Sequence, residues 1–167
     1  MTPDRKIRPA EATDADAIVD MLSRLANETG DGERFATTPD TIREFGFGPA
    51  ARFACLVAGG SQNPLGLALF FPVFSTLRGM PGVYVQDLWL APDARGQKLG
   101  QALLAAVAAQ AEREWQAGYL HLTAHHHNLG AISFYTRLGF DANAQDMPLT
   151  LSGAKFSALA GKAEVAI

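Results

Sequence analysis

The sequence predicts an α/β fold of the mixed (α+β) kind, a central mixed sheet flanked by helices in the order β-α-α-β-β-β-α-β-α-β. Three observations predict it. Two helical patterns separate a first strand from the remaining strands. The apolar runs "RFACLVAGG" and "LGLALFFPVF" form a hairpin-rich middle. A strand–helix–strand–helix run then completes the chain, so helices must cover the sheet faces. The 167 residues fit one domain, 1–167, large enough to bury a core.

"KIRPA" is a short strand ended by Pro9. In "TDADAIVDMLSRLAN", Thr13 can N-cap a helix with Asp16 three residues on, and Ile18, Met21, Leu22 and Leu25 form one apolar stripe. "ETGDGERFATT" is a polar loop. "PDTIREFGFG" is a second short helix, with Pro39 near its start. "GGSQNP" is a turn between the two strands of a hairpin, and "STLRGMPG" is a loop. "VYVQDLWLA" is a strand ended by Pro92. In "GQALLAAVAAQAEREWQAG" the residues Leu99, Leu103, Val107, Ala111 and Trp115 fall four apart, and Gly118 is a C-terminal stop. "YLHLTAHH" is a strand, "LGAISFYTRLG" a helix closing at Gly139, and "MPLTLSG" a last strand candidate.

Composition narrows the function classes. A net charge of −3 gives no general attraction to nucleic acid or an anionic membrane. The only cysteine, Cys55, excludes an intramolecular disulfide and reads as a small buried residue in "FACLVA". No segment approaches the roughly 20 apolar residues of a membrane span, and "MTPDRKIRPA" has no apolar leader core, so a cytoplasmic protein is expected.

The chemistry concentrates in three places. Simple alternation puts Val83, Val85, Asp87 and Trp89 on one face of "VYVQDLWLA" and Tyr84, Gln86, Leu88 and Leu90 on the other. Both faces are mostly apolar, so this is a central strand interrupted by Gln86 and Asp87. Either a neighbouring partner satisfies that pair or a polar cleft opens there. The loop "APDARGQKLG" places Arg95 and Lys98 beside Gly96 and Gly100 at a helix start. The helix dipole disfavours cations there, so an anion such as a pyrophosphate would make sense of them. The alternative is that Asp93 caps the helix and both cations face solvent. In "HHHNLGAISFYTRLGF", Asn128, Ala131 and Tyr135 lie along one side of a short helix, where Tyr135 is either core or catalytic. Consecutive histidines on extended chain alternate sides, so only His125 and His127 share one, and no metal site is expected.

On these residues the chain resembles the GNAT superfamily of acetyl-CoA-dependent N-acetyltransferases. "RGQKLG" after "QDLWLAP" is similar to the family's Q/R-x-x-G-x-G/A loop, and "NLGAISFYTRLGF" to its N-x-x-A-x-x-F-Y-x-x-x-G-F segment. "IRPAEATDADAIVDMLSRLANE", "FGFGPAARFACLVA" and "FFPVFSTLRG" further resemble its diamine (spermidine/spermine or thialysine) acetyltransferase branch.

The resemblance implies acetyl-CoA as cosubstrate, a small primary amine (a diamine or lysine-like ε-amine) as acceptor, and a homodimer. It implies that backbone groups of Leu88, Trp89 and Leu90 hold the pantetheine and thioester. Arg95, Gly96, Gln97, Lys98, Leu99 and Gly100 would wrap the pyrophosphate, and Asn128 and Ala131 would line the other side of the groove. Tyr135 would protonate the departing thiolate. Glu28, Thr29, Gln86 and the segment from His121 to Thr123 would border the amine.

The chain departs from the family pattern twice. The family usually has Gly where Lys98 stands, so Lys98 is expected at a negative, helical φ. The branch has Glu at the catalytic position of Gln86, and Gln cannot take up a proton. The base would then be Asp87, His121 or His125, within reach of the amine.

Overall fold

The computed structural model describes residues 6–60, 62–142 and 149–161, which fall in two compact units, Met1–Ile132 and Ser133–Ile167. In the first unit β1 (Ile7–Pro9), β2 (Ala54–Gly60), β3 (Asn63–Ser75), β4 (Met80–Leu90) and β5 (Leu120–Leu122) form one sheet in chain order. The first four strands run antiparallel, and β4 pairs with β5 in parallel. A parallel neighbour needs a crossover, and α3 (Leu99–Trp115) supplies it.

Helices α1 (Ala15–Thr29) and α2 (Pro39–Gly46) cover one face. Ile18, Met21 and Leu22 of α1 and Ile42 of α2 pack with Val57, Leu67, Leu69 and Trp89 of the sheet. The other face meets α3, where Leu103, Val107 and Ala111 are fully buried and the Phe70 ring lies 5.8 Å from Trp115.

The element ends depart from local expectation in three places. Helix α1 starts after a 3₁₀ turn (Ala12–Asp14), and neither Thr13 nor Asp16 caps it. The buried Asp14 carboxylate instead accepts from the Glu11 N–H at 2.8 Å and from the Arg8 guanidinium at 2.7 and 2.8 Å. Asp16 pairs with Arg43 of α2 at 2.7 Å. Helix α3 ends on Gln116, left-handed at φ 56°, because Gln116 and Ala117 turn their N–H groups back onto Glu112 and Ala111 carbonyls. Gly118 lies beyond that cap and donates to the Pro81 carbonyl at 2.9 Å. Strand β4 begins at Met80, because the hairpin ladder runs on to Ser75–Met80.

In the second unit, α4 (Leu129–Arg137), which starts at the end of the first, finishes and Gly139 turns the chain at φ 92°. The strand candidate "MPLTLSG" is not a strand over residues 149–152, and Met147 and Pro148 lie outside the described residues. Helix α5 (Gly153–Ala160) comes next, which the sequence did not predict; alanine and leucine favour it without a marked apolar stripe.

Candidate functional site

The site begins with a register change in β4. Leu69 of β3 faces Asp87 and Phe70 faces Val85, so Gln86 has no cross-strand partner and forms a β-bulge. The bulge resets the alternation. Val85 lies on the α3 face with Phe70, whereas Asp87 and Trp89 lie on the α1 face with Leu69 and Leu67. The sequence expectation that Val83, Val85, Asp87 and Trp89 share one face is therefore corrected. An extra residue turns the subsequent side chains over. Gln86 itself is exposed.

The bulge also ends the pairing on the other side. Among the described residues, β4 pairs with β5 only from Val83–Leu120 to Val85–Leu122, while its ladder with β3 runs to Leu90. Residues 86–90 thus have one open edge. The Ala91 N–H bonds the Leu65 carbonyl of β3 at 2.9 Å. By alternation, the backbone groups of Trp89 also face β3, while those of Leu88 and Leu90 point to the open edge. The Leu90 carbonyl accepts from Arg95 Nε at 3.0 Å.

Asp87 sits at the mouth of this opening. It is half-buried, and among the described residues its carboxylate has no hydrogen bond or ion pair. Burial pushes its pKa up to about 6, because the charged form loses water without gaining a partner. Cys55, two strands away in the same row, is buried, and its thiol is pushed up to about 12 chiefly by desolvation. It is no nucleophile at neutral pH.

One side-chain repeat along, the buried Trp89 donates its indole N–H to Glu28 Oε1 at 3.0 Å. The other oxygen of Glu28 accepts from Arg95 at 2.7 Å. The end of α1, the strand and the loop before α3 are thereby tied together. Glu28 is placed against the loop residue Arg95, a contact 67 positions apart that no local spacing announces. The one available signal is that a buried indole N–H needs an acceptor.

Arg95, Gly96, Gln97 and Lys98 are exposed, while Leu99 and Gly100 are buried at the start of α3. Gln97 braces the loop by donating to the Asp93 carbonyl at 2.6 Å. Gly96 is left-handed at φ 71°, and Lys98, the N-cap of α3, is left-handed at φ 64°. The expectation of a negative φ at Lys98 is overturned. The residue precedes the first helical turn, and the chain must reverse there to enter the helix. A Cβ in that conformation costs about 1–2 kcal/mol. The first-turn N–H groups of α3 have no acceptor within the helix and point, with the dipole, toward this loop.

On the β5 side, the Tyr84 hydroxyl and Thr123 Oγ1 lie 2.9 Å apart, and His121 faces Tyr84 across the strands. His125 Nε2 is 3.4 Å from Asp31, which also pairs with Arg34 at 3.0 Å. The His125 and His127 rings are 5.2 Å apart, and among the described residues no group of three His, Cys, Asp or Glu converges as a metal-binding set. Asn128 caps α4, its Oδ1 accepting from the Ala131 N–H at 3.1 Å.

Tyr135, in the second unit, has its ring 5.2 Å from Phe134 and 5.4 Å from Phe140. Burial raises its pKa above the ordinary tyrosine value. Sequence reasoning did not single out Asp31, Phe71 or Tyr84, which no motif marks.

A family model described as "Acetyltransferase (GNAT) family" matches residues 18–140 of the chain. The thialysine N-epsilon-acetyltransferase of Mus musculus is 31% identical over 150 residues, covering 85% of each chain. That of Bos taurus is 29% identical over 149 residues, covering 84% of each. Among solved structures, an integron cassette protein from the mobile metagenome of V. cholerae superposes with a TM-score of 0.76 at 21% identity, over 94% of this chain and 98% of that one. An aminoglycoside acetyltransferase from an uncultured soil metagenomic sample does so at 0.69 and 17% identity, over 89% and 96%.

Proposed function

Because the chain belongs to the GNAT family of acetyltransferases and resembles its thialysine N-ε-acetyltransferase branch, we propose that it transfers acetyl from acetyl-CoA directly to a small primary amine, a diamine or a lysine-like ε-amine. The observation that carries this is the open edge of β4 past the Gln86 bulge, which leads into a loop suited to an anion at the start of α3.

The residues present fit acetyl-CoA. Backbone groups of Leu88 and Leu90 on the open edge suit an amide-bearing chain laid alongside, as an added strand would be. The N–H groups at the start of α3, with Gly96, Gln97, Leu99 and Gly100 around them, suit a pyrophosphate. Lys98 adds a cation there, and Arg95 braces the loop. Asn128 and Ala131 open α4 and complete the family's second motif. When bound, acetyl-CoA supplies the activated acetyl group.

The acceptor amine has a pKa near 10.4, so at pH 7 about one molecule in a thousand is neutral, and deprotonation costs roughly 4–5 kcal/mol. Asp87, with its pKa of about 6, is the base in this reading, directly or through a water. It is largely ionised at neutral pH yet basic enough to hold a proton. Gln86 takes a positioning role by donating or accepting a hydrogen bond, and His121, Thr123 and His125 border the amine. Leu88 and Leu90 N–H groups polarise the thioester carbonyl. Tyr135, kept protonated by its surroundings, gives its proton to a thiolate whose ordinary pKa is about 8.5. The protein is proposed to act in the cytoplasm as a homodimer, without nucleic acid or membrane.

The test is thiol release from acetyl-CoA over a panel of diamines, lysine analogues, amino acids and aminoglycosides. Acetyl-dependent release with diamines or lysine analogues supports the proposal. Binding of acetyl-CoA with no release for any amine would leave an acyl-CoA-binding protein instead. Tyr135→Phe is expected to lower kcat about 100-fold with acetyl-CoA affinity unchanged. Undiminished turnover would return Tyr135 to a packing role.

A further inference from the structure

Among the described residues, the α1 face of the sheet carries a row of side chains that lies outside the core under α1 and α2. Phe71, Tyr84 and His121 are cross-strand neighbours on β3, β4 and β5. The Phe71 and Tyr84 rings lie 5.3 Å apart, tilted 34°, and the Tyr84 and His121 rings 5.5 Å apart, tilted 37°. The adjacent row, Cys55 and Leu69 beside Asp87, still belongs to the core under α1 and α2, apart from Asp87 itself. Phe71 and Tyr84 do not pack into that core, are only half-buried, and His121 is exposed. Thr123 fixes the Tyr84 ring through the hydroxyl contact at 2.9 Å. Because the bulge turns Asp87 over, its carboxylate stands on this same face, about 7 Å along the strand from Tyr84 by strand geometry.

The charges beside the row are unequal. Glu28, which accepts from Trp89 on the same strand as Asp87, is paired with Arg95. Asp87 has no cationic partner among the described residues. One cation can therefore be matched without breaking an existing pair. Exposed ring faces, in contrast, favour apolar or aromatic surface.

We propose that this row of rings seats the body of the acceptor, and that the acceptor is a primary amine with a single ammonium joined by a short chain to an aromatic or apolar body. This rests on the acetyl-transfer reading above, and in place of its diamine or lysine-like acceptor it names a monoamine. The body lies on Phe71 and Tyr84, and the ammonium reaches Asp87. There it gives up one proton to the carboxylate or to a water bound to it. The freed nitrogen forms its bond to the acetyl carbon as the carbon–sulfur bond of the thioester breaks. The nitrogen then loses its surplus proton, and one proton ends on the CoA sulfur. The products are the acetamide and free CoA thiol.

The experiment compares 2-phenylethylamine, putrescine and spermidine as acceptors with acetyl-CoA, monitoring thiol release. The expected result is a kcat/KM for 2-phenylethylamine at least tenfold above either polyamine. Tyr84→Leu should reduce that preference at least fivefold, through the amine KM. Thr123→Val, which keeps the ring but removes its hydroxyl partner, should reduce it less and in the same direction; if thermal unfolding shows Tyr84→Leu unfolded, it carries the test. A polyamine preference in the wild type, or a preference unmoved in the folded variants, overturns the proposal while leaving acetyl transfer standing. No thiol release with any amine overturns acetyl transfer, and this acceptor class with it.

Discussion

Asp87 shows how one residue sets stability against chemistry. Its folded pKa of about 6 lies above the ordinary carboxylate value of 3.8, so the fold disfavours its ionised form. Below about pH 4 it is protonated in both states and there is no penalty. Between pH 4 and 6 the folded state holds the extra proton, so stability falls as pH rises, by about 3 kcal/mol in total. Asp87→Asn should therefore be more stable than the wild type at pH 7, by on the order of 1–3 kcal/mol. The gain should vanish near pH 4, and turnover should drop with it. Thermal unfolding at several pH values checks this, and equal stability at pH 7 would contradict it. Lys98 makes a related case. Lys98→Gly relieves the left-handed strain and should gain about 0.5–1 kcal/mol, after allowing for glycine's greater freedom when unfolded. If its ammonium also meets a phosphate, CoA affinity should fall severalfold at low salt and less at high salt. Calorimetric titration at two ionic strengths separates the two effects.

Between elements, two ion pairs differ in worth. Arg8 and Asp14 join β1 to the turn before α1, with Asp14 buried. The Arg8 hydrogen bond, reinforced by the Glu11 N–H, holds the Asp14 carboxyl below its usual range. That stability is present above the unfolded pKa of about 4 and is lost as pH falls through the lower folded value. Asp14→Ala leaves Arg8 without its partner and should cost about 3 kcal/mol, read from chemical denaturation at pH 7. The Glu28–Arg95 pair is half-exposed, so it contributes at most about 1 kcal/mol. Its interest lies in linking α1 to the loop before α3. In a double-mutant cycle of Glu28→Gln and Arg95→Gln, acetyl-CoA affinity should fall about two- to fivefold in either single variant and no further in the double. Additive losses would mean that the pair does not act as a unit.

For the whole molecule, a ligand that binds only the folded state must raise its stability. Acetyl-CoA at a hundred times its dissociation constant should add about 2.7 kcal/mol, whereas NAD should add nothing. A thermal shift with NAD and none with acetyl-CoA would refute the proposed cosubstrate. Among the described residues no helix is long and apolar enough to cross a membrane. Much of this architecture was legible locally. The stripe of Ile18, Met21 and Leu22 and the four-residue spacing of Leu99, Leu103, Val107 and Ala111 do bury their faces, because helical periodicity is a property of neighbours. The glycine-bearing loop and the Asn128 segment were legible for the same reason. The sequence by itself thus determined the main helices and strands and the family they belong to. Only the tertiary structure decided that Gln86 bulges, that Asp87 and Tyr84 share a face, that Glu28 meets Arg95, and that Lys98 turns left-handed. Each of these depends on which distant strand or helix comes to lie alongside, and pairing register is fixed by the partner as much as by the strand itself.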